Sequence, residues 1–438
     1  MTACALHVVY VMRRIGNVRK RTKVIAVILA VFGLLLLFAQ DPSTVRLESA
    51  ISIEDQRFLS YIGAVTASPS TDGDRYEMLL NGDKVYPAML DAIRGARRRV
   101  NFLTYIYSPG EVADRFTSAL ADAGRRGIEV NVVVDAFGAS DIPDEHIEQL
   151  KSAGVAVGHY RPVRWYSIQE SNYRNHRKIL VVDGEVAFTG GIGVSDHWLG
   201  DARNENEWRD TQFRMRGPVV RYLEAVFYES LAETMPRVKP EIGLAGGGEP
   251  VAPAGQASSI VVSSAPNGGS GGVKRLFLMS IGAAKKTLDI TTPYFVVDDS
   301  TLWALEQARQ RGVRIRFLVE GDVTDAKTVK WASRSIYDRL LSQGIEIYEY
   351  QPTMIHAKTT VVDGTWSIIG SANFDNRSLD MNDEVNIGIA DRPLAEALLV
   401  TFEDDLRRSK ALTLDLWRKR ALHEQLNEKF WSLLGEFF

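Results

Sequence analysis

Residues 175–184 read NHRKILVVDG and residues 355–364 read IHAKTTVVDG. Each sets a histidine two positions before a lysine and closes on Asp-Gly: His176, Lys178, Asp183 and His356, Lys358, Asp363. In extended backbone residues i and i+2 share a face, so each imidazole projects beside an ammonium. Two such sets suit a phosphodiester. Two lysines neutralise the phosphate as point charges. One histidine attacks phosphorus while the other protonates the leaving oxygen and later deprotonates the incoming alcohol or water. One imidazole cannot be nucleophile and acid at once, so the duplicate has a use. A lone histidine on a strand is ordinarily a satisfied core residue, but a repeated His-x-Lys in a chain with seven histidines reverses that reading. His7, His146, His159, His197 and His423 lack this setting and read as surface or local structural residues.

Asp183 and Asp363 have the opposite parity and each precedes a glycine between two strand-like runs, VVDGEV and VVDGTW. Asp-Gly at such a point is a hairpin signal, so both read as structural turn residues. Two other carboxylates follow the motifs, Asp210 in EWRDTQF and Glu384 in NDEVNIG. They are candidates to set the tautomer and orientation of the imidazoles.

The elements that must position these residues also repeat. From Asn101 the chain reads NFLTYIY, GEVADRFTSALADAGRRG, IEVNVVVDAFG, DEHIEQLKSAG and VAVGHY, alternating strand and helix. From Leu288 it reads LDITTPYFV, TLWALEQARQRG, VRIRFLVEG, SIYDRLLSQG and IEIYEY in the same order. The helical runs show apolar 3–4 spacing and end in glycine; the strands are rich in β-branched and aromatic residues. Repeated β–α–β units predict an α/β fold with mixed, mainly parallel sheets flanked by helices. A Gly/Ala/Pro stretch, GLAGGGEPVAPAGQASS, separates the halves. The predicted domains are a basic segment 1–23, an apolar anchor 24–40, a first lobe 60–240, a linker 241–258, a second lobe 259–412 and an amphipathic tail 413–438.

Bulk properties exclude some classes. The chain has 438 residues, enough for more than one core. Its single cysteine, Cys4, rules out a disulfide framework and a cysteine-based zinc site. A net charge of −3 gives no global attraction for nucleic acid. VIAVILAVFGLLLLFA, from Val24 to Ala39, is uncharged, with Arg13, Arg14, Arg19, Lys20, Arg21 and Lys23 before it. It reads as a single uncleaved anchor, because Leu37 and Ala39 make a poor signal-peptidase site. The charge bias leaves the N-terminus in the cytoplasm and sends the lobes across the membrane.

His-x-Lys, four residues, Asp, six residues, Gly-Ser-x-Asn resembles the signature of the phospholipase D superfamily. His356, Lys358, Asp363, Gly370, Ser371 and Asn373 match it throughout, and NFDNRS continues it. The first copy matches at His176, Lys178 and Asp183 and then departs, with GGIG (190–193) in place of Gly-Ser-x-Asn. That departure is similar to the bacterial cardiolipin synthase branch, as are LLNGDKVYPAMLDAIRGA, FLTYIY, FTGGIGVSDHWLGD, WRDTQFRMRGPVV, TTPYFV and YEYQPTMIHAK. The resemblance spans roughly residues 76–408. It implies two lobes related by a pseudo-twofold axis, one active site at their interface, a phosphohistidine intermediate, and no cofactor or catalytic metal. It further implies His176 as nucleophile and His356 as general acid/base. Lys178, Lys358 and Asn373 would bind phosphate, with Ser371 as a weaker candidate, and Asp210 and Glu384 would orient the histidines.

The expected substrates are anionic phospholipids, phosphatidylglycerol in the first place, at a bacterial cell membrane; nucleic acid is not expected. The segment 159–176 combines Arg161, Arg164 and Arg174 with Tyr160, Trp165, Tyr166 and Tyr173, a composition that suits anionic headgroups, single-stranded nucleic acid or a packed loop equally. The tail is either a membrane-surface helix or a helix docked on the protein's own core. The expected reaction is transfer of a phosphatidyl group between two phosphatidylglycerol molecules with release of glycerol. The alternative is phospholipase D-type hydrolysis through the same intermediate. A non-catalytic scaffold would have no need of two intact His-Lys pairs. Oligomeric state is not legible.

Overall fold

Local patterning accounts for the elements that carry the site. The helix Glu111–Arg125 buries Val112, Phe116, Leu120 and Ala123 at helical spacing, and Gly127 at φ +82° takes the chain out of it. The helix Arg392–Arg407 opens on Asp391, whose carboxylate accepts from the Leu394 amide at 2.7 Å, and buries Leu394, Ala395, Leu398 and Phe402. The computed structural model describes residues 51–162, 172–236, 251–265 and 270–432. The basic segment, the apolar run 24–40, residues 163–171 and the end of the tail lie outside them. Among the described residues no helix is long and apolar enough to cross a membrane.

The first half contributes β1 (Ser70–Leu80), β2 (Arg99–Thr104), β3 (Glu129–Asp135), β4 (Ala156–Tyr160), β5 (Ile179–Val182), β6 (Val186–Gly190) and β7 (Thr211–Arg216). The second contributes β8 (Ala257–Ala265), β9 (Ser270–Gly271), β10 (Thr287–Thr291), β11 (Arg314–Glu320), β12 (Glu346–Tyr350), β13 (Thr359–Val362), β14 (Trp366–Gly370), β15 (Glu384–Ala390) and β16 (Ser409–Leu412). They form one continuous sheet in the order β16-β12-β11-β10-β13-β14-β15-β8-β1-β7-β6-β5-β2-β3-β4, with β9 beside β8. The two halves therefore repeat one strand order and meet where β8 pairs with β1.

Two expectations need correction. The sheet is mixed but not mainly parallel: β2–β3, β3–β4, β10–β11 and β11–β12 are parallel. Every other ladder among the described residues is antiparallel. The crossover helices create only those parallel pairs; the Asp-Gly hairpins and the strands after them add the rest. The helix Phe58–Thr66, assigned by position mostly to the first lobe, packs instead on the second. Its Phe58 lies edge-on to Trp366 with ring centroids 5.2 Å apart, and Ile62 joins Ile260 and Val262 in that core.

Each half has a core under its crossover helices. A third core lies on the other face of the sheet, where the helices Val219–Thr234 and Arg392–Arg407 cover strands of both halves. That shared core leaves the ends of the two central hairpins close to one another.

Candidate active site

The His-x-Lys segments lie just before β5 and β13 rather than in them. Their backbones pair across the halves. Asn175 bridges Asp383 and Arg209 bridges Ile355, both in parallel sense. The His176 amide donates to Asp383 O at 2.9 Å, and the His356 amide to Arg209 O at 2.7 Å. This exchange of backbone partners also exchanges the carboxylates. His176 Nδ1 lies 2.9 Å from Glu384 Oε1, and His356 Nδ1 lies 2.8 Å from Asp210 Oδ2. Each imidazole is thus held by the acid that follows the other motif. Facing a carboxylate, each Nδ1 carries its proton and donates it, which leaves Nε2 as the reactive nitrogen.

The carboxylates are held in turn. Ser371 Oγ donates to Glu384 Oε2 at 2.5 Å and accepts from the Val385 amide at 3.0 Å. The serine hydroxyl therefore holds an acid, and its proton is already committed. Asp210 Oδ2 accepts from the indole Nε1 of Trp198 at 2.9 Å, and its Oδ1 from the Thr211 amide at 2.7 Å. Lys178 Nζ donates to His176 O at 2.8 Å and Lys358 Nζ to His356 O at 2.6 Å, so both ammoniums fold back beside their own imidazoles. Lys358 Nζ is also 3.0 Å from His356 Nδ1 and 3.1 Å from Nε2. Asn373 is buried with Oδ1 accepting nothing among the described residues.

Burial shapes the titration of these groups. It pulls His176 down to about 4 against the opposing charge of Glu384, and His356 to about 3 with the help of Lys358. Burial likewise lowers Lys178 to about 7 and Lys358 to about 8, although Glu384 and Asp210 favour their charged forms. Glu384 lies below its ordinary value: burial opposes ionisation, but His176, Lys178 and Ser371 outweigh it. Without substrate both imidazoles are neutral at pH 7.

Asp183 and Asp363 stand at φ +56° and +52°, followed by Gly184 and Gly364 at +71° and +67°, the backbone of a tight primed hairpin. Their carboxylates accept from the amides of Arg97, Arg98 and Arg99, and of Lys285, Lys286 and Thr287. Each aspartate ties its hairpin to the loop before the neighbouring strand, β2 or β10, and keeps away from the histidines.

Some contributors carry no local signal of chemistry. Trp198 lies edge-on to His356 with centroids 5.3 Å apart, and Tyr105 edge-on to His176 at 5.1 Å with Lys178 Nζ over its ring at 5.6 Å. Both sit in FTGGIGVSDHWLGD and FLTYIY, where they read as core aromatics. On the second-half side Tyr294 Oη donates to Asp325 Oδ1 at 2.6 Å, and Lys358 is near enough for its charge to oppose the rise in the Asp325 pKa that burial causes. The expected cluster of arginines and tyrosines at 159–176 is partly committed elsewhere. Tyr160 is buried and donates to Asp383 Oδ2 at 2.5 Å, and Arg174 is buried 3.5 Å from Asp135. Among the described residues no three His, Cys, Asp or Glu side chains converge into a set that could hold a metal ion.

The comparisons with known proteins agree with this architecture. A model of the cardiolipin synthase phospholipase D-like domain matches residues 89–225 and 277–406, one copy in each half. Cardiolipin synthase 2 of Bacillus anthracis is 32% identical over 389 residues, covering 86% of this chain and 73% of that one. Cardiolipin synthase of Geobacillus thermodenitrificans is 30% identical over 409 residues, covering 91% and 80%. Among solved structures, phosphatidylserine synthase of Haemophilus influenzae superposes with a TM-score of 0.67 at 13% identity, over 87% of this chain and all of that one, a likeness of fold. The chain belongs to the cardiolipin synthase family of phospholipase D-like phosphatidyltransferases.

Proposed function

We propose that this phosphatidyltransferase moves the phosphatidyl group of one phosphatidylglycerol to the free hydroxyl of another and releases glycerol. The observation that carries the reading is the crosswise pair His176–Glu384 and His356–Asp210, which leaves two Nε2 atoms for one phosphate. His176 Nε2 attacks phosphorus while the bond to the glycerol oxygen breaks and His356 Nε2 gives that oxygen its proton. A second phosphatidylglycerol then loses its hydroxyl proton to His356, attacks phosphorus and displaces His176. Lys178 and Lys358 turn from their carbonyls to the phosphate, with the buried amide of Asn373 beside them. The incoming anion offsets the lysine charges, so the pKa of His356 rises on binding and its Nε2 takes up a proton from water before the leaving oxygen needs it.

The names of the matched relatives of Bacillus anthracis and Geobacillus thermodenitrificans, cardiolipin synthases, support the alcohol. The run 24–40 would anchor the chain in the bacterial cell membrane with the lobes outside the cytoplasm, a topology that protease accessibility in intact spheroplasts tests. Purified full-length protein with labelled phosphatidylglycerol should yield cardiolipin and glycerol; phosphatidic acid as the sole product would make it a hydrolase. Order within the pair is read from a trapped intermediate. His356→Asn should accumulate a phosphatidyl adduct on His176, detected by mass spectrometry, and an adduct on His356 in His176→Asn would reverse the roles.

A further inference from the structure

Six large hydrophobic side chains are well exposed among the described residues, and four of them, Leu416, Leu422, Leu426 and Phe430, lie between residues 416 and 430. Leu422, Leu426 and Phe430 recur every fourth residue along the helix Leu422–Ser432, so they form one row on one face. The opposite side is pinned. Glu428 is 2% exposed and accepts from Arg420 Nη2 at 2.5 Å and Arg334 Nε at 3.2 Å. Both guanidiniums lie over the ring of buried Trp417, at 4.0 and 4.7 Å from its centroid. A buried, doubly paired carboxylate fixes the rotation of this helix, because turning it would strand the charge. The apolar row is therefore held outward by design of the contacts behind it.

Chemistry at the edges of the row says what covers it. Lys419 and Lys429 are exposed beside it, on stems long enough to keep their charge in water while the leucines are buried. The sequence continues past the described helix with Leu434 and Phe438 at the same four-residue spacing. The face of an eleven-residue helix, about 16 Å long and about 10 Å wide, offers far less than the roughly 800 Å² per partner of a stable protein interface. Leucines and aromatics flanked by lysines match a helix lying in the headgroup–acyl boundary. We infer that the row Leu422, Leu426 and Phe430 is a bilayer-contacting face that rests on an anionic membrane surface.

This face sits beside the second half-site. The helix Leu422–Ser432 packs along the helix Lys327–Arg334, which follows directly on Asp325, the carboxylate held by Tyr294 near Lys358. A membrane resting on this row would hold headgroups near the His356 half of the site; this consequence rests on the lipid reaction proposed above.

The test uses the full chain in phosphatidylcholine–phosphatidylserine proteoliposomes. In a Cys4→Ser background, Leu426→Cys carries an environment-sensitive nitrobenzoxadiazole probe, and Val400→Cys, exposed elsewhere, serves as control. The probe at 426 should shift to the blue and be quenched by lipids brominated on their acyl chains, whereas the probe at 400 should not. A probe at 426 that stays unquenched overturns the inference, as does one that shifts only with protein concentration in detergent, which would give the row to a second copy. A second readout is the ratio of turnover on vesicles to turnover on monomeric short-chain phosphatidylglycerol. Leu422→Glu, Leu426→Glu and Phe430→Glu together should lower that ratio about tenfold, where misfolding would lower both rates alike, and an unchanged ratio overturns the role in substrate access. Quenching at 426 without turnover of any phospholipid keeps the membrane face and removes the lipid-transfer reading instead.

Discussion

Around His176 the carboxylate is a glutamate held by a hydroxyl; around His356 it is an aspartate held by an indole. The glycines that open the two turns, Gly190 and Gly370, share φ near +150°, at +154° and +152°, and differ in nothing that matters. The next position differs in everything. A Cβ on Gly191 would stand 2.3 to 2.7 Å from the carboxylate of Asp210. The first half has therefore moved its acid into the volume that the second half gives to the Ser371 side chain. The shorter Asp210 takes the Thr211 amide directly, whereas Ser371 accepts from the corresponding Val385 amide and donates to Glu384. One methylene fewer in the acid goes with one hydroxyl fewer in the turn. GGIG in place of Gly-Ser-x-Asn is thus a different way to hold a carboxylate, and the amide it lacks is Asn373's counterpart, where a Cβ on Gly193 would press on Ile106.

The most damaging way to break this comparison is to remove the charge on either acid. Asp210→Asn and Glu384→Gln keep the shape but let the imidazole adopt the wrong tautomer, and each should lower kcat by about 10⁴-fold. Turnover of labelled phosphatidylglycerol measures it; a loss below about tenfold at one acid would mean that its histidine works without it. Copying one half onto the other comes next. Gly191→Ser should push Asp210 off His356 and cost about 10²-fold in kcat, the usual penalty for a displacement near 1 Å. Ser371→Gly, the reverse change, removes the hydroxyl's bonds to Glu384 and from the Val385 amide but creates no clash, so a loss of about tenfold is expected. Equal losses from the two exchanges would refute the account of why the turns differ.

How much of this could be read without coordinates follows from distance along the chain. His-x-Lys, Asp-Gly and the alternation of strand and helix are local, so spacing exposes the two basic sets, both hairpins and the α/β class. Who pairs with whom is not local. Glu384 lies 208 residues from His176 and Asp210 lies 146 from His356, and the exchange depends on the bridges at Asn175 and Ile355. The parallel bias fails for a related reason: crossover helices announce their parallel strands, while antiparallel partners such as β1 and β8 meet only after the halves fold together. Trp198 escapes notice because a tryptophan among apolar residues reads as core, and its packing gives no hint that its N–H holds Asp210. Trp198→Phe keeps the packing and removes that donor; with the Thr211 amide still in place, kcat should fall by about tenfold or less, and the loss should be rescued by no acceptor alcohol.

The smallest expected effect separates the two lysines by pH. In the free enzyme Lys178 titrates at about 7 and Lys358 at about 8, each lowered chiefly by burial. As pH rises through that window the lysines lose their protons and with them the charge that the proposed reaction sets against phosphate. The profile of kcat/KM, which reports the free enzyme, should therefore fall on its alkaline side across pH 7 to 8, in two overlapping steps that belong to the pair. Bound phosphate favours the ammonium form, so the alkaline limb of kcat should lie higher. Lys178→Arg keeps a charge that does not titrate here, and whatever its level of activity the earlier step should vanish while the later one remains. Lys358→Arg should do the converse. A kcat/KM profile flat to about pH 9 would show that the lysines keep their ordinary values and that burial does not distinguish the two halves of the site.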